Sequence, residues 1–478
     1  MDVTEYAACD SVRLAELIRQ GEVSEEEVQE AARQAIDKVN PRLNAVADGP
    51  WQRPLEYAAD GPFRGVPFVI KDLVCHAAGV PTRAGTRLTG QRGVVFDYDT
   101  HLMSRFRAAG LATLAVTTTP ELGFNANTEA LVYGSTRNPW DTDLSAGGSS
   151  GGTGALVAAG AVSVGHANDG GGSIRIPASF NGLVGLKPSR GRTPIGPDYA
   201  EALSGLAIEF VLVRSVRDCA ALLDAVAGPM PGDKFVIEPP QRPYAAEVGA
   251  DPGRLRVAVQ VESWSGSPVD TQVAAAVQHV GEQLESLGHS VENAAPAFDW
   301  DEFITANVPV WCEFLAESVA ALTMMSGHTP SRDLMEATTY ACTEHGNRVT
   351  ALEMAAAGAT FNRVSRLLGD FFTQHDLLVT PTVNLPAQPL GFLDANDTAL
   401  DAEGWTRKIF HYCSFTPLFN VTGTPTLSLP LGWTDAGLPI GVQLAARMGD
   451  EATLFRIAAQ LEQALPWARH VPAVHASK

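Results

Sequence analysis

Two serines set among glycines are the residues best placed for acyl-transfer chemistry. They are Ser149 in GGSSGG (residues 147–152) and Ser173 in DGGGSIRIP (residues 169–177), 24 positions apart. A lysine, Lys71, closes the apolar segment GVPFVIKD at 65–72. Glycines ahead of a serine let successive backbone N–H groups converge on one point, because glycine adopts positive φ and puts no side chain in the way of an incoming carbonyl. Gly170, Gly171, Gly172 and Ser173 are therefore candidate main-chain oxyanion donors for an attack by the Ser173 hydroxyl. One such donor contributes about 3–4 kcal/mol in acyl-transfer enzymes. A lysine acts as a base only when neutral, and burial beside Val69 and Ile70 predicts a fall from its ordinary value near ~10.4, since desolvation disfavours the charged form.

Several residues around these have competing readings. The GGSSG run also satisfies G-x-S-x-G, the strand-to-helix elbow that would make Ser149 the nucleophile, with an acid and a histidine later in the chain. The preceding DTDLSA at 141–146 is polar and turn-like, which argues against the strand an elbow requires. Asp169 and Arg175 flank Ser173 at −4 and +2. They read as an ion pair supporting the loop rather than as reacting groups. His166 reads as a packed core histidine. The eleven histidines contain no H-E-x-x-H, and no cysteine–histidine cluster has zinc spacing. Neither a metal nor a cofactor is expected. No dinucleotide or Walker-type glycine motif is present either.

The elements that must hold these residues follow from periodicity. Apolar positions recur at helical spacing between 11 and 39, and Ser24 with Glu27 forms a capping box before the second of two helices. Strands are predicted at 65–72, 111–120, 254–260, 376–383 and 424–432, and helices at 153–161, 215–228, 303–322, 352–368 and 452–465. This alternation predicts an α/β core. One continuous domain over 1–478 is expected: a helical arm to about residue 60, a catalytic core to about 230, a helical region from about 270 to 370, and a C-terminal return to the core. The helical region carries the fewest motifs and is where substrate selectivity is expected.

Composition excludes several classes. A net charge of −20 opposes binding to phosphate backbones, so nucleic acid is not an expected partner. Six scattered cysteines without a C-x-x-C pair predict free thiols and a reducing cytoplasm. The start, MDVTEYAACDS, lacks a basic region followed by an apolar stretch. The longest apolar run noted, 155–164, is shorter than the ~20 residues that cross a bilayer. No membrane association is expected.

The two serine motifs, Lys71 in GVPFVIKD and the segment GLKPSRGRTP at 185–194 together resemble the amidase-signature family, and the likeness extends to GLPIGVQL at 437–444. The resemblance implies a mixed central sheet flanked by helices, with helical insertions. It also implies a nucleophile at Ser173, a bridging serine at Ser149 on a cis peptide, and a base at Lys71. A similar member of the family carries a pocket cysteine on the helix corresponding to NVPVWCEFLAESVAAL (307–322), which implies that Cys312 lines the substrate pocket. Without that likeness, Cys312 reads equally as an apolar core residue. The expected activity is hydrolysis of small, uncharged amides without a cofactor, led by cyclic or linear oligoamides of the nylon by-product type. Aryl-acylamide and carbamate (urethane) hydrolysis are near neighbours. An amidotransferase A-type subunit working with a partner is the rival reading, and a homodimer is an assembly the sequence leaves open.

Overall fold

A single mixed sheet of eleven strands runs through the computed structural model, which describes residues 1–478. In spatial order the strands are Val46–Asp48, Ala112–Thr117, Pro67–Lys71, Val164–Asp169, Ile208–Val213, Val184–Lys187, Thr426–Trp433, Pro439–Ala445, Leu377–Pro381, Arg256–Val259 and Ser290–Asn293. Pro67–Lys71 pairs in parallel with both of its neighbours, so that Lys71 lies opposite Thr117 at the carboxyl end of the strand. All five of its residues are buried. This is the pattern of a parallel strand covered on both faces, and it explains the continuous apolar run.

The helices follow the predicted spacing. Glu25–Leu43 buries Val28, Ala31, Ala32, Ala35, Ile36 and Val39 on one stripe. Its capping box is formed: the Glu27 N–H donates to Ser24 Oγ at 3.1 Å, and the Ser24 N–H donates to Glu27 Oε2 at 2.8 Å. Gly151–Ala158 is buried along its whole length, under the sheet between the two serine loops.

Two features depart from the sequence reading. Val164–Asp169 lies within the glycine-rich stretch and is a strand, with six buried residues. It leads directly into the Ser173 loop and the helix Arg175–Asn181. The strand–turn–helix arrangement is thus built around Ser173. At Ser149 only isolated bridges, Arg137 with Ser145 and Leu144 with Pro389, precede the serine. The second departure is Trp300–Ser326, a helix of 27 residues that is long and apolar enough to cross a membrane by length and composition. Its side chains at Phe303, Ile304, Trp311, Leu315 and Val319 are buried in a second hydrophobic core, separate from the main core on the sheet. This second core joins Trp300–Ser326 to Ala351–Gln374 and Ala402–Tyr412, and just after Ser173 the chain passes between the cores, with Ile174 in the main one and Ile176 in the second.

Candidate active site

Lys71 has no solvent exposure, and its amine sits among three oxygens. Nζ lies 2.6 Å from Ser149 Oγ, 3.1 Å from Ser150 Oγ and 2.6 Å from Asn168 Oδ1. A neutral amine offers two N–H groups and one lone pair, and the neighbours sort these. Asn168 donates its Nδ2 to Leu73 O at 3.0 Å, which leaves Oδ1 to accept from the lysine. Ser150 directs its hydroxyl toward Asn168 O at 3.3 Å and therefore also accepts. The lone pair is left for the hydroxyl proton of Ser149. Burial pushes the Lys71 amine down to about 7, against the pull of Asp169 and Glu209. Desolvation wins, as the apolar strand predicts.

The Ser149 loop is tied by Thr119, whose hydroxyl donates to Ser149 O at 3.1 Å, and by Thr128, which donates to Gly147 O at 2.8 Å. The Gly148–Ser149 peptide is cis. No direct hydrogen bond joins Ser149 to Ser173, but both hydroxyl-bearing residues line one cavity.

The Ser173 loop hangs on Asp169 and Arg175, an ion pair at 2.8 Å with neither side chain exposed. Every guanidinium N–H of Arg175 is placed: Asp169 takes two, and Thr416 O, Gln443 Oε1 and Asn420 Oδ1 take the rest. Asp169 in turn accepts the N–H groups of Gly172 at 2.7 Å and Ile174 at 3.1 Å. Burial would raise its carboxyl, but the Arg175 charge and hydrogen bonds, together with Asn420, hold it at about 2. One expectation is corrected here. The Gly172 N–H is spent on Asp169 and is not free for an oxyanion, whereas Gly170, Gly171 and Ser173 keep N–H groups without a protein acceptor. At Gly172, where φ is 141°, a Cβ would come within 2.5 Å of Thr416 Oγ1, so the turn requires glycine. Arg175→Ala should strand a buried carboxylate and destabilise the fold by about 3–5 kcal/mol, read as a lowered denaturation midpoint.

The cavity that holds Ser149 and Ser173 has apolar walls from Leu73, Val74, Leu122, Ile195, Leu203, Trp311 and Phe314. Trp311 stacks on Phe124 at 4.4 Å and closes over Gly170 and Gly171, which a Cβ at either position would obstruct. Cys312 is not part of this lining. Successive helical residues are turned by about 100°, so Trp311 and Phe314 share the cavity face and Cys312 points away from it. Its thiol has no exposure and meets Cys342, whose own thiol is pushed well above the ordinary range by Cys312 and by burial. The expected pocket role of Cys312 is thereby corrected to a place in the second core. Cys312→Ser should lower the thermal midpoint, at a cost of about 1–3 kcal/mol for a buried hydroxyl, with little change in the ranking of amide substrates. A reordered ranking at unchanged midpoint would contradict this placement.

Asn168, Ser150, Trp311, Phe314 and Glu209 were not singled out from sequence. Asn168 lies on Val164–Asp169, a strand the sequence reading does not assign, where it shares its face with His166. His166 itself is fully buried and bonds Glu209 at 3.0 Å.

An amidase family model matches residues 27–455, and the chain belongs to that family of amide-bond hydrolases. It is 38% identical over 473 residues to 6-aminohexanoate-cyclic-dimer hydrolase of Paenarthrobacter ureafaciens, covering 97% of this chain and 96% of the relative. A solved structure of 6-aminohexanoate cyclic dimer hydrolase superposes with a TM-score of 0.93 at 36% identity, over 98% of this chain and 99% of that one. A bacterial aryl acylamidase of the amidase-signature family shares the fold, with a TM-score of 0.85 at 24% identity over 97% of both chains.

Proposed function

We propose that Ser173 is the nucleophile of this amidase and that Lys71, acting through Ser149, is its base. The observation that carries this is the amine of Lys71: fully buried, 2.6 Å from Ser149 Oγ, with acceptors already matched to both N–H groups of its neutral form. As Ser173 Oγ bonds to the substrate carbonyl, its proton passes to Ser149, whose own proton passes to the Lys71 lone pair. The N–H groups of Gly170, Gly171 and Ser173 receive the oxyanion. The relay then runs in reverse and protonates the departing nitrogen, and water hydrolyses the acyl-enzyme by the same path. Asp169 and Arg175 fix the loop and take no part in proton transfer.

The substrate class we assign is the small oligoamide, cyclic or linear, of the kind named for the relatives as 6-aminohexanoate cyclic dimer. Apolar walls around a few polar groups suit methylene spacers between amide bonds. Trp311 and Phe314 in that wall also favour aryl amides as a second substrate class. We take residues 1–478 as one working unit in the cytoplasm, where six unpaired cysteines are at home.

The test is hydrolysis by the purified chain alone, on a panel of cyclic and linear oligoamides, anilides and carbamates followed by mass spectrometry. Turnover of oligoamides is the expected result. Activity that requires an added partner subunit would point to the amidotransferase reading instead.

A further inference from the structure

One carboxylate in the cavity has no part in the mechanism above. Glu209 is 2% exposed and lies on Ile208–Val213, directly across from Asn168 in antiparallel register. Opposed residues in such a pair share a face, so Glu209 stands on the side of the sheet where Asn168 reaches the Lys71 amine. Its Oε2 is 3.0 Å from Nε2 of His166. The Lys71 backbone N–H donates to His166 Nδ1 at 3.4 Å, which puts the ring proton on Nε2 and makes His166 the donor to Glu209. The other oxygen, Oε1, is buried without any protein donor. Glu209 lines the same cavity as Ser149 and Ser173, and its neighbours in that lining include the apolar Ile195 and Ala207.

A buried acceptor without a donor is destabilising, more so on a carboxylate, and native proteins pair nearly all such groups. His166 holds Oε2, which leaves Oε1 as the unpaired acceptor of a carboxylate that lines the cavity. We infer that Glu209 Oε1 is a substrate-recognition group that accepts a hydrogen bond from an N–H donor of the substrate. This rests on the amidase reading of the cavity and narrows it. The favoured substrates are amides carrying a second N–H, on a secondary amide or an ammonium, separated from the scissile carbonyl by an apolar spacer. A site built to bond an N–H discriminates strongly against an analogue lacking it, because its own polar group is then left unpaired.

The test uses the full-length enzyme and three series of p-nitroanilides with acyl spacers of graded length, ending in an ammonium, an N-acetylated amine or a methyl group. Wild type should prefer an N–H-bearing series over the methyl series by about tenfold or more in kcat/KM, the range of a charge-assisted hydrogen bond. Glu209→Gln should shrink that preference by about tenfold, chiefly through KM. The comparison of ammonium with acetamide identifies which donor is read. Equal losses in all three series, accompanied by a moved acid limb of the pH–rate profile, would overturn the proposal and make Glu209 a positioning residue for Lys71. If Glu209→Gln does not fold, the wild-type ratio decides alone: methyl-ended substrates cleaved as well as both others would overturn it. A wild type that cleaves none of the anilides, nor any oligoamide, would instead remove the amidase reading on which the proposal rests.

Discussion

Ser173→Ala is expected to lower amide turnover by about 10⁴-fold or more, the scale on which removing a serine nucleophile acts, with no loss of folded protein. The loop around Ser173 is held by main-chain N–H groups of Gly172 and Ile174 on Asp169 and by the Arg175 guanidinium, not by the Ser173 hydroxyl. Deleting Oγ therefore removes the attacking atom and leaves the loop in place. Steady-state kinetics together with a denaturation curve measure both. A variant retaining a tenth of the wild-type rate would mean that another group attacks.

Lys71→Ala should cost about 10²–10⁴-fold, the range of a general base. The loss should be larger for an amide than for a matched ester. An ester leaves as an alkoxide that needs little help, whereas an amide nitrogen must be protonated before C–N cleavage, and the relay that removes the first proton also returns it. The pH dependence follows from the same group. Below about 7 the Lys71 amine is protonated; it then has three N–H groups and no lone pair, so it cannot accept the proton of Ser149. Wild-type kcat should fall about tenfold per pH unit below that point and level off above it, and Lys71→Ala should lose this limb. Stability moves with the same proton. Between about 7 and the ordinary lysine value the unfolded chain binds one proton more than the folded one, so the lysine's contribution makes stability rise with pH in that window. Equal kinetic losses on ester and amide with an unmoved pH limb would assign the base elsewhere.

Much of this site was legible because its parts are local in sequence. Lys71 ends a run, PFVIK, that, bounded by glycine and proline, suits a buried strand, and the glycines before Ser173 declare a tight turn. The Asp169–Arg175 pair spans six residues and was readable as a loop support. What was not legible depends on residues far apart. The strand Val164–Asp169 was hidden because VGHAND mixes small and polar residues, and its burial comes from neighbours at 67–71 and 208–213. Gly172 was counted as an oxyanion donor because sequence shows that a glycine can turn, not which acceptor its N–H meets. Cys312 was placed on the correct helix but toward the wrong neighbour. Its rotation is set by how Trp300–Ser326 packs on Ala337–Gly346, a contact no local pattern reports. Glu209 lacked any motif and acquires meaning only once it is opposite Asn168.

The central claim is that Ser173 attacks while Ser149 relays the proton. Labelling the wild-type enzyme with a fluorophosphonate and mapping the adduct by peptide mass spectrometry tests it most directly, because both hydroxyls line one cavity and the reagent is free to choose. The account predicts a single adduct on Ser173, slowed at low pH and strongly suppressed in Lys71→Ala. An adduct on Ser149 would contradict it, making Ser149 the nucleophile and leaving Ser173 without the role assigned here.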